Sequence, residues 1–282
     1  MTIRILLATD GRTRSDRAVE YAGALGRYLD AAVDICYVVD DRLLEAVEAP
    51  AAADSLTSEL RTLGTTVVEE AAQMLDDLEV TTVVRQGIPH RVLLEEAESA
   101  TLIVTGRSVD PADPTDQLAN TDRILASADV PVLSVPVEGP MPPEGGFPSA
   151  LVATDGSEYP ERAMASVTDW LDGDATVHGL YVVDSAIYDL ADAPRSIIGI
   201  LRRGGEGALD DLATFLEEPP IRFRRHIRRG RVTQTLLEAI DELEPAVVCV
   251  GRRGRTGGND PIVGSTTRML LRQAPVAIIA SP

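Results

Sequence analysis

The densest chemistry in the chain lies in Gly251-Arg-Arg-Gly254-Arg-Thr-Gly-Gly-Asn-Asp-Pro-Ile-Val-Gly264-Ser265-Thr266-Thr267. Gly251, Gly254 and Gly264 put no Cβ between the backbone and a ligand. A helical pattern starts at once with Met269 and Leu270, and Arg268 and Arg272 fall on its other side. Ser265 is therefore expected at or near a helix N-cap. The N–H groups of Ser265, Thr266 and Thr267 then lack partners inside the helix and form an anion site. The hydroxyls of Ser265 and Thr266 add donors for phosphate oxygens. The set suits holding phosphates; no base stands ready to activate a water. The bland alternative for the glycines is a tight turn with no ligand.

The elements that must carry this segment come twice. I-L-L-A-T-D-G-R ending at Arg12 returns as L-V-A-T-D-G-S ending at Ser157. Tyr37-Val-Val-Asp40 returns as Tyr181-Val-Val-Asp184. H-R-V-L-L-E after Gly87 returns as T-Q-T-L-L-E after Gly230. Ile103–Arg107 returns at Val248–Arg252, and P-V-L-S-V-P from Pro131 returns as P-V-A-I-I-A from Pro275. All offsets lie between 143 and 145 residues, so the chain is a duplication. The Pro- and Gly-rich stretch 138–148 reads as a linker between domains 1–137 and 149–282.

Within the first copy, apolar runs predict strands at Ile3–Ala8, Val33–Val39, Val80–Arg85, Thr101–Thr105 and Val132–Val135. Helical spacing predicts helices at Ser15–Leu29, 54–78, Pro89–Glu98 and 116–127. The second copy follows the same order from Ala150 to Ala280. Arg202-Arg-Gly-Gly-Glu-Gly207 reads as a mobile loop before its long helix. The alternation calls for α/β architecture: two tandem doubly wound, mostly parallel five-stranded sheets, Rossmann-like. Ligands of such sheets sit beyond the carboxyl ends of the strands, at the switch in strand order.

The spacing Gly-x2-Gly-x9-Gly-Ser, placed after the fourth strand and combined with A-T-D-G-S at the first strand end, resembles the universal stress protein family. The resemblance covers nearly the whole chain, twice. It implies an adenine-nucleotide-hydrolase-like fold and bound ATP, with a divalent cation such as Mg2+ bridging the phosphates. Carried over by position, it implies that Asp155 contacts the nucleoside and that the Val182 backbone reads adenine. Val250 and Gly251 match the ribose neighbourhood, and Gly254, Gly264, Ser265 and Thr266 the phosphate cradle. Read from the residues alone, Asp155 could instead cap a helix, and Val182 could simply pack in the core.

At an offset of 145 the first copy departs from that pattern. Gly106 matches Gly251, but Val109 stands for Gly254, Ala119 for Gly264 and Asn120 for Ser265. Ser108 and Asp110 replace Arg253 and Arg255, and Asp113 and Asp116 add negative charge. A triphosphate would meet carboxylates there. Asp10 and Val38 still match the nucleoside end, so the first copy is a degenerate partner with adenosine or AMP binding left open.

Composition narrows the partners. The chain has 282 residues, 45 acidic against 26 basic, for a formal charge of −19, and every basic residue is Arg. Residues 1–140 carry net −14 and residues 141–282 net −5, so an anionic ligand is better received in the second copy. Such a surface disfavours nucleic acid. The lysine-free acidic balance resembles that of haloarchaeal proteins. No apolar run approaches the ~18 residues of a membrane span, no signal peptide is visible, and the expected location is cytoplasmic. Cys36 and Cys249 read as buried core thiols. His90, His178 and His226 are scattered, and no zinc site or catalytic triad can be assembled. The arginines between Arg222 and Arg231 read mostly as a solvated strand end, with a phosphate-proximal role open for Arg229 or Arg231.

These readings converge on a nucleotide-dependent stress-response module with ATP in the second copy. The family resemblance implies an intramolecular pseudo-dimer of the two domains through their last strands, a further homodimer, and a protein partner of unknown identity. The alternatives are a slow ATPase or adenylate-transferring enzyme, and an AMP- or flavin-binding module. Asp260 is the only acid inside the loop.

Overall fold

The structure is a computed structural model that describes residues 3–46, 49–108, 117–185, 195–216, 221–252 and 263–282. The chain divides into two compact units, Met1–Glu144 and Gly145–Pro282. Each unit is an open parallel sheet with a helix after every strand but the last.

Unit 1 contains β1 (Arg4–Thr9), α1 (Thr13–Leu29), β2 (Ala32–Asp40), a short α2 (Asp41–Glu45), α3 (Pro50–Gln73) and β3 (Val80–Gly87). α4 (Pro89–Glu96), β4 (Leu102–Arg107), α5 (Gln117–Ser127) and β5 (Val132–Pro136) complete it. The strand order is β3-β2-β1-β4-β5, with every pair parallel. β1 and β4 read as unbroken apolar runs because helices cover both faces; Ile5, Leu7, Ile103 and Val104 are fully buried.

Unit 2 repeats the plan: β6 (Phe147–Thr154), α6 (Tyr159–Thr168), β7 (Leu171–Asp184), α7 (Arg195–Phe215), β8 (Arg222–Gly230), α8 (Val232–Leu243), β9 (Val247–Gly251), α9 (Ser265–Gln273) and β10 (Ala277–Ser281). The order is β8-β7-β6-β9-β10, again parallel. In both units the first strand lies between the second and the fourth. The connections leave it in opposite directions, which opens a crevice at the carboxyl ends of β1 and β4, and of β6 and β9.

Two expectations need correction. β6 begins at Phe147, inside the stretch read as linker; Phe147 is fully buried and its N–H donates to the Trp170 carbonyl at 2.7 Å. The segment 202–207, expected as a mobile loop, lies within α7. Of its glycines Gly205 serves helix packing: a Cβ there would stand 2.5 Å from Cδ1 of Tyr181, whereas one on Gly204 or Gly207 would meet nothing within 4 Å. Unit 1 uses the same device, with Gly64 of α3 against Tyr37. A glycine that costs helix propensity lets an aromatic ring seat against the helix backbone.

Candidate functional site

The first strand of each unit ends in the same turn. In unit 2, the Thr154 hydroxyl oxygen accepts from the Gly156 N–H at 3.1 Å. Asp155 Oδ1 accepts from the Ser157 N–H at 3.0 Å and from its hydroxyl at 2.6 Å. Gly156 sits at φ 79°, in the left-handed region where glycine is at ease. The N-cap of α6 is Glu158, so Asp155 closes the turn ahead of the helix and does not cap the helix itself. In unit 1, Thr9 accepts from the Gly11 N–H at 3.2 Å and Asp10 from the Arg12 N–H at 3.1 Å, with Gly11 at φ 71°.

The second half of the site is the junction of β9 and α9. Val250 and Gly251 are buried at the end of β9. Gly264 is the N-cap of α9, and Ser265 is its first residue. The Gly264 N–H donates to the Arg252 carbonyl at 2.9 Å, and the Thr267 hydroxyl to the Gly251 carbonyl at 2.9 Å. Ser265 is exposed and Thr266 half-buried. No acidic residue stands in the first turn of α9, so the helix itself places no carboxylate against its positive end. Gly254, Arg253, Arg255 and Asp260 lie outside the described residues.

Val182 lies two residues before the end of β7, paired with Arg228 of β8. It is half-buried, while Leu180 and Val183 beside it are buried. Asp155, Val182, Val250, Gly251, Gly264, Ser265 and Thr266 therefore gather at one edge of the sheet, across its switch point. A nucleoside and a phosphate chain can lie along that edge, and the backbone supplies most of the donors.

Unit 1 presents different chemistry at the matching edge. Asp40, at the end of β2, caps α2 through the Arg42 N–H at 3.0 Å. The Arg42 guanidinium grips the same carboxylate at 2.7–3.0 Å and reaches Asn120 Oδ1 at 3.5 Å. At the 145-residue offset Asn120 aligns with Ser265, but it is the fourth residue of α5 where Ser265 is the first of α9. His90, at the start of α4, has its pKa pushed down by burial, with Arg123, Arg91 and Arg42 adding to the effect. A protein guanidinium thus reaches a side chain near the start of α5. Sequence reasoning does not single out Arg42; its only signal is the Asp40-Asp-Arg42 run after the Tyr-Val-Val-Asp repeat. Val109, Asp110, Asp113 and Asp116 lie outside the described residues, and of Ala119 only the helical backbone is described.

Other polar groups sort into structural roles. Arg107, beside Gly106, is fully buried; its Nη1 donates to the Ser134 carbonyl at 3.4 Å, and desolvation pushes its pKa down to about 9. Arg222, Arg225 and Arg228 pair with Asp174, Asp210 and Glu242. Cys36 and Cys249 are buried and unbridged; burial raises both thiol pKa values, that of Cys36 to about 12. The histidines are less scattered than their sequence positions: His178 Nδ1 and His226 Nε2 lie 3.0 Å apart on β7 and β8. Parallel register brings together residues 48 positions apart, which no local spacing reveals.

The universal stress protein family matches the chain twice, over residues 1–136 and 146–282. Among solved structures, the chain is similar to a universal stress protein from Archaeoglobus fulgidus DSM 4304. That likeness has 19% identity, spans 99% of this chain and 97% of that one, and gives a TM-score of 0.68. A functionally unknown protein from Pseudomonas aeruginosa PAO1 is similar at 17% identity, over 99% of this chain and 92% of that one, with a TM-score of 0.63. At these identities the structural likeness shows a shared fold. No curated protein sequence matches the chain. With two matches in series that together span almost every residue, the chain belongs to the universal stress protein family as a tandem two-domain member.

Proposed function

We propose that unit 2 binds ATP and that its occupancy makes the protein a nucleotide-dependent regulatory module of the stress response. The observation that carries this reading is the β9–α9 junction. A helix N-terminus begins at Gly264 with no acidic residue in its first turn, across the switch point from the Asp155 turn. Backbone N–H groups of Ser265 and Thr266, with their hydroxyls, suit the phosphates. Asp155, Val182 and Gly251 suit the nucleoside end, and Gly254 belongs to the same cradle by its spacing. Mg2+ would neutralise phosphate charge. Unit 1 is the degenerate partner: Arg42, Asp40 and Asn120 already engage one another at its edge. The acidic, lysine-free composition fits a cytoplasm at high salt, and stability should then rise with added KCl.

The test is to saturate the purified full chain with ATP and Mg2+, remove free ligand, denature, and identify released nucleotide by mass spectrometry. One ATP per chain is expected. Two per chain would overturn the degeneracy of unit 1, and none would overturn the reading of unit 2.

A further inference from the structure

The Thr267 hydroxyl stands outside the glycine spacing and outside the hydroxyl donors read for phosphate, yet it ties the two halves of the junction together. It is the third residue of α9 and only 3% exposed. A threonine hydroxyl in a helix commonly bonds back to its own helix or meets water. Here it crosses to the strand and donates to the carbonyl of Gly251, sixteen residues earlier, at 2.9 Å. The Gly264 N–H makes a second crossing bond, to the Arg252 carbonyl at 2.9 Å. Arg252 is itself fastened to the neighbouring strand, its N–H donating to the Ser281 carbonyl at 3.1 Å. Two bonds therefore join Gly251, the last residue of β9, and Arg252 after it to Thr267 and the N-cap Gly264 of α9, and a third anchors Arg252 to β10.

The consequence is geometric. In a nucleotide, the distance from ribose to phosphates is set covalently. A site that meets the ribose beside Gly251 and the phosphates at Ser265 and Thr266 must hold those two places in register. A misplacement of ~1 Å is enough to lose much of the binding of a charged group. The Thr267 bond fixes that register from inside the protein, without touching the ligand.

We propose that Thr267 is the positioning residue of the nucleotide site in unit 2, holding the phosphate donors of α9 at the distance from Gly251 that a triphosphate requires. The proposal rests on the reading of unit 2 as the ATP site. Its test is isothermal titration of the full chain with ATP–Mg2+ and with adenosine, for the wild type and for Thr267→Val, Thr267→Ser and Thr267→Ala. Removing the hydroxyl in Thr267→Val should weaken ATP by roughly tenfold while adenosine stays within about twofold of wild type. Thr267→Ser should bind ATP as the wild type does, and Thr267→Ala as Thr267→Val does. Serine and alanine both lack the methyl group, so this pair isolates the hydroxyl even if the valine variant fails to fold. Unchanged ATP affinity without the hydroxyl would overturn the proposal. So would an equal loss for ATP and adenosine, which marks general loosening, or an equal loss in Ser and Ala, which marks packing. A wild type that binds no ATP would overturn the functional reading, and this assignment with it.

Discussion

Unit 1 and unit 2 keep the same turn at one side of the switch point and opposite chemistry at the other. Thr9-Asp10-Gly11 and Thr154-Asp155-Gly156 make matching hydrogen bonds, with glycine at positive φ in both. That turn is what a strand needs to reverse into a helix, so both units keep it. The β9–α9 junction has no such duty. Where unit 2 starts α9 at Ser265 with no acidic residue in its first turn, unit 1 has Arg42 reaching from Asp40 to Asn120. The scaffold of a ligand site and its ligand chemistry are separable, and only the second half diagnoses binding.

The sharpest way to break this comparison is Gly264→Val. Gly264 has φ −58° and ψ 149°, a conformation open to any residue, so the change adds a side chain without backbone strain. ATP affinity should fall by at least about 100-fold, about 2.7 kcal/mol, while thermal unfolding stays near that of the wild type. Unchanged affinity in a titration would place the phosphates elsewhere and remove the contrast between the units.

The shared turn can be sharpened by alanine at its glycine. Both variants carry the left-handed penalty of about 1 kcal/mol. A Cβ on Gly156 would meet only Ala208, at an ordinary 3.6 Å. A Cβ on Gly11 would fall inside the contact distance of Val67, a buried residue of α3. Overpacking there adds about 2 kcal/mol, so urea denaturation should show Gly11→Ala losing about three times as much as Gly156→Ala. Equal losses would mean that Val67 yields freely and that the two turns are energetically alike.

The histidines distinguish the units by pH. In unit 2, burial comes first in pushing His178 and His226 below the usual imidazole pKa, followed for His178 by His226 and Arg224, and for His226 by Arg228. Glu242 offsets part of this on His226, where Arg224 adds to the lowering. In unit 1 only His90 is depressed, by burial and then by Arg123, Arg91 and Arg42. The folded state resists protons that the unfolded state accepts below the ordinary imidazole value of 6.5. This stability is present above that pH and is lost as pH falls from it through the depressed folded values. The slope is at most about 1.4 kcal/mol per pH unit for each proton, and the close pair titrates as a unit. Replacing both His178 and His226 by Gln should flatten the loss between pH 7.5 and 5.5 (roughly the window that straddles imidazole titration) more than His90→Gln does. Equal flattening in denaturant titrations would show that the pair adds nothing to a single buried imidazole.

What can be read from the sequence is what depends on neighbours along the chain. β1, β4, β6 and β9 announce themselves as apolar runs because both faces are covered. The Gly264-Ser265 junction is legible because an open backbone followed by a helix start is a local requirement. Arg42 escapes because its reach to Asn120 joins α2 to α5 across the sheet edge. The His178–His226 contact depends on the register of β7 against β8. The clasp from Thr267 to Gly251 likewise needs α9 placed against β9. Gly204-Gly205 in α7 reads as a loop because the partner that explains Gly205, Tyr181, lies on another element.

Those helix glycines lead to the finest comparison between the units. Gly64 and Gly205 each face a tyrosine, Tyr37 and Tyr181, and a Cβ added to either would lie 2.5 Å from the nearest ring atom. Alanine gains about 1 kcal/mol of helix propensity in either place. Against this stands an overpacking cost of about 1–3 kcal/mol, which depends on whether the ring can move. Tyr37 is buried at 7% exposure, and burial raises the pKa of its hydroxyl, as expected of a phenol held away from water. Tyr181 is half-buried and has room on its solvent side. Gly205→Ala should therefore be close to neutral, whereas Gly64→Ala should destabilise by about 1 kcal/mol. Paired denaturant titrations resolve a gap of that size. If Gly205→Ala costs as much as Gly64→Ala, the ring of Tyr181 is held as firmly as that of Tyr37, and the two helix seats are equivalent despite their different exposure.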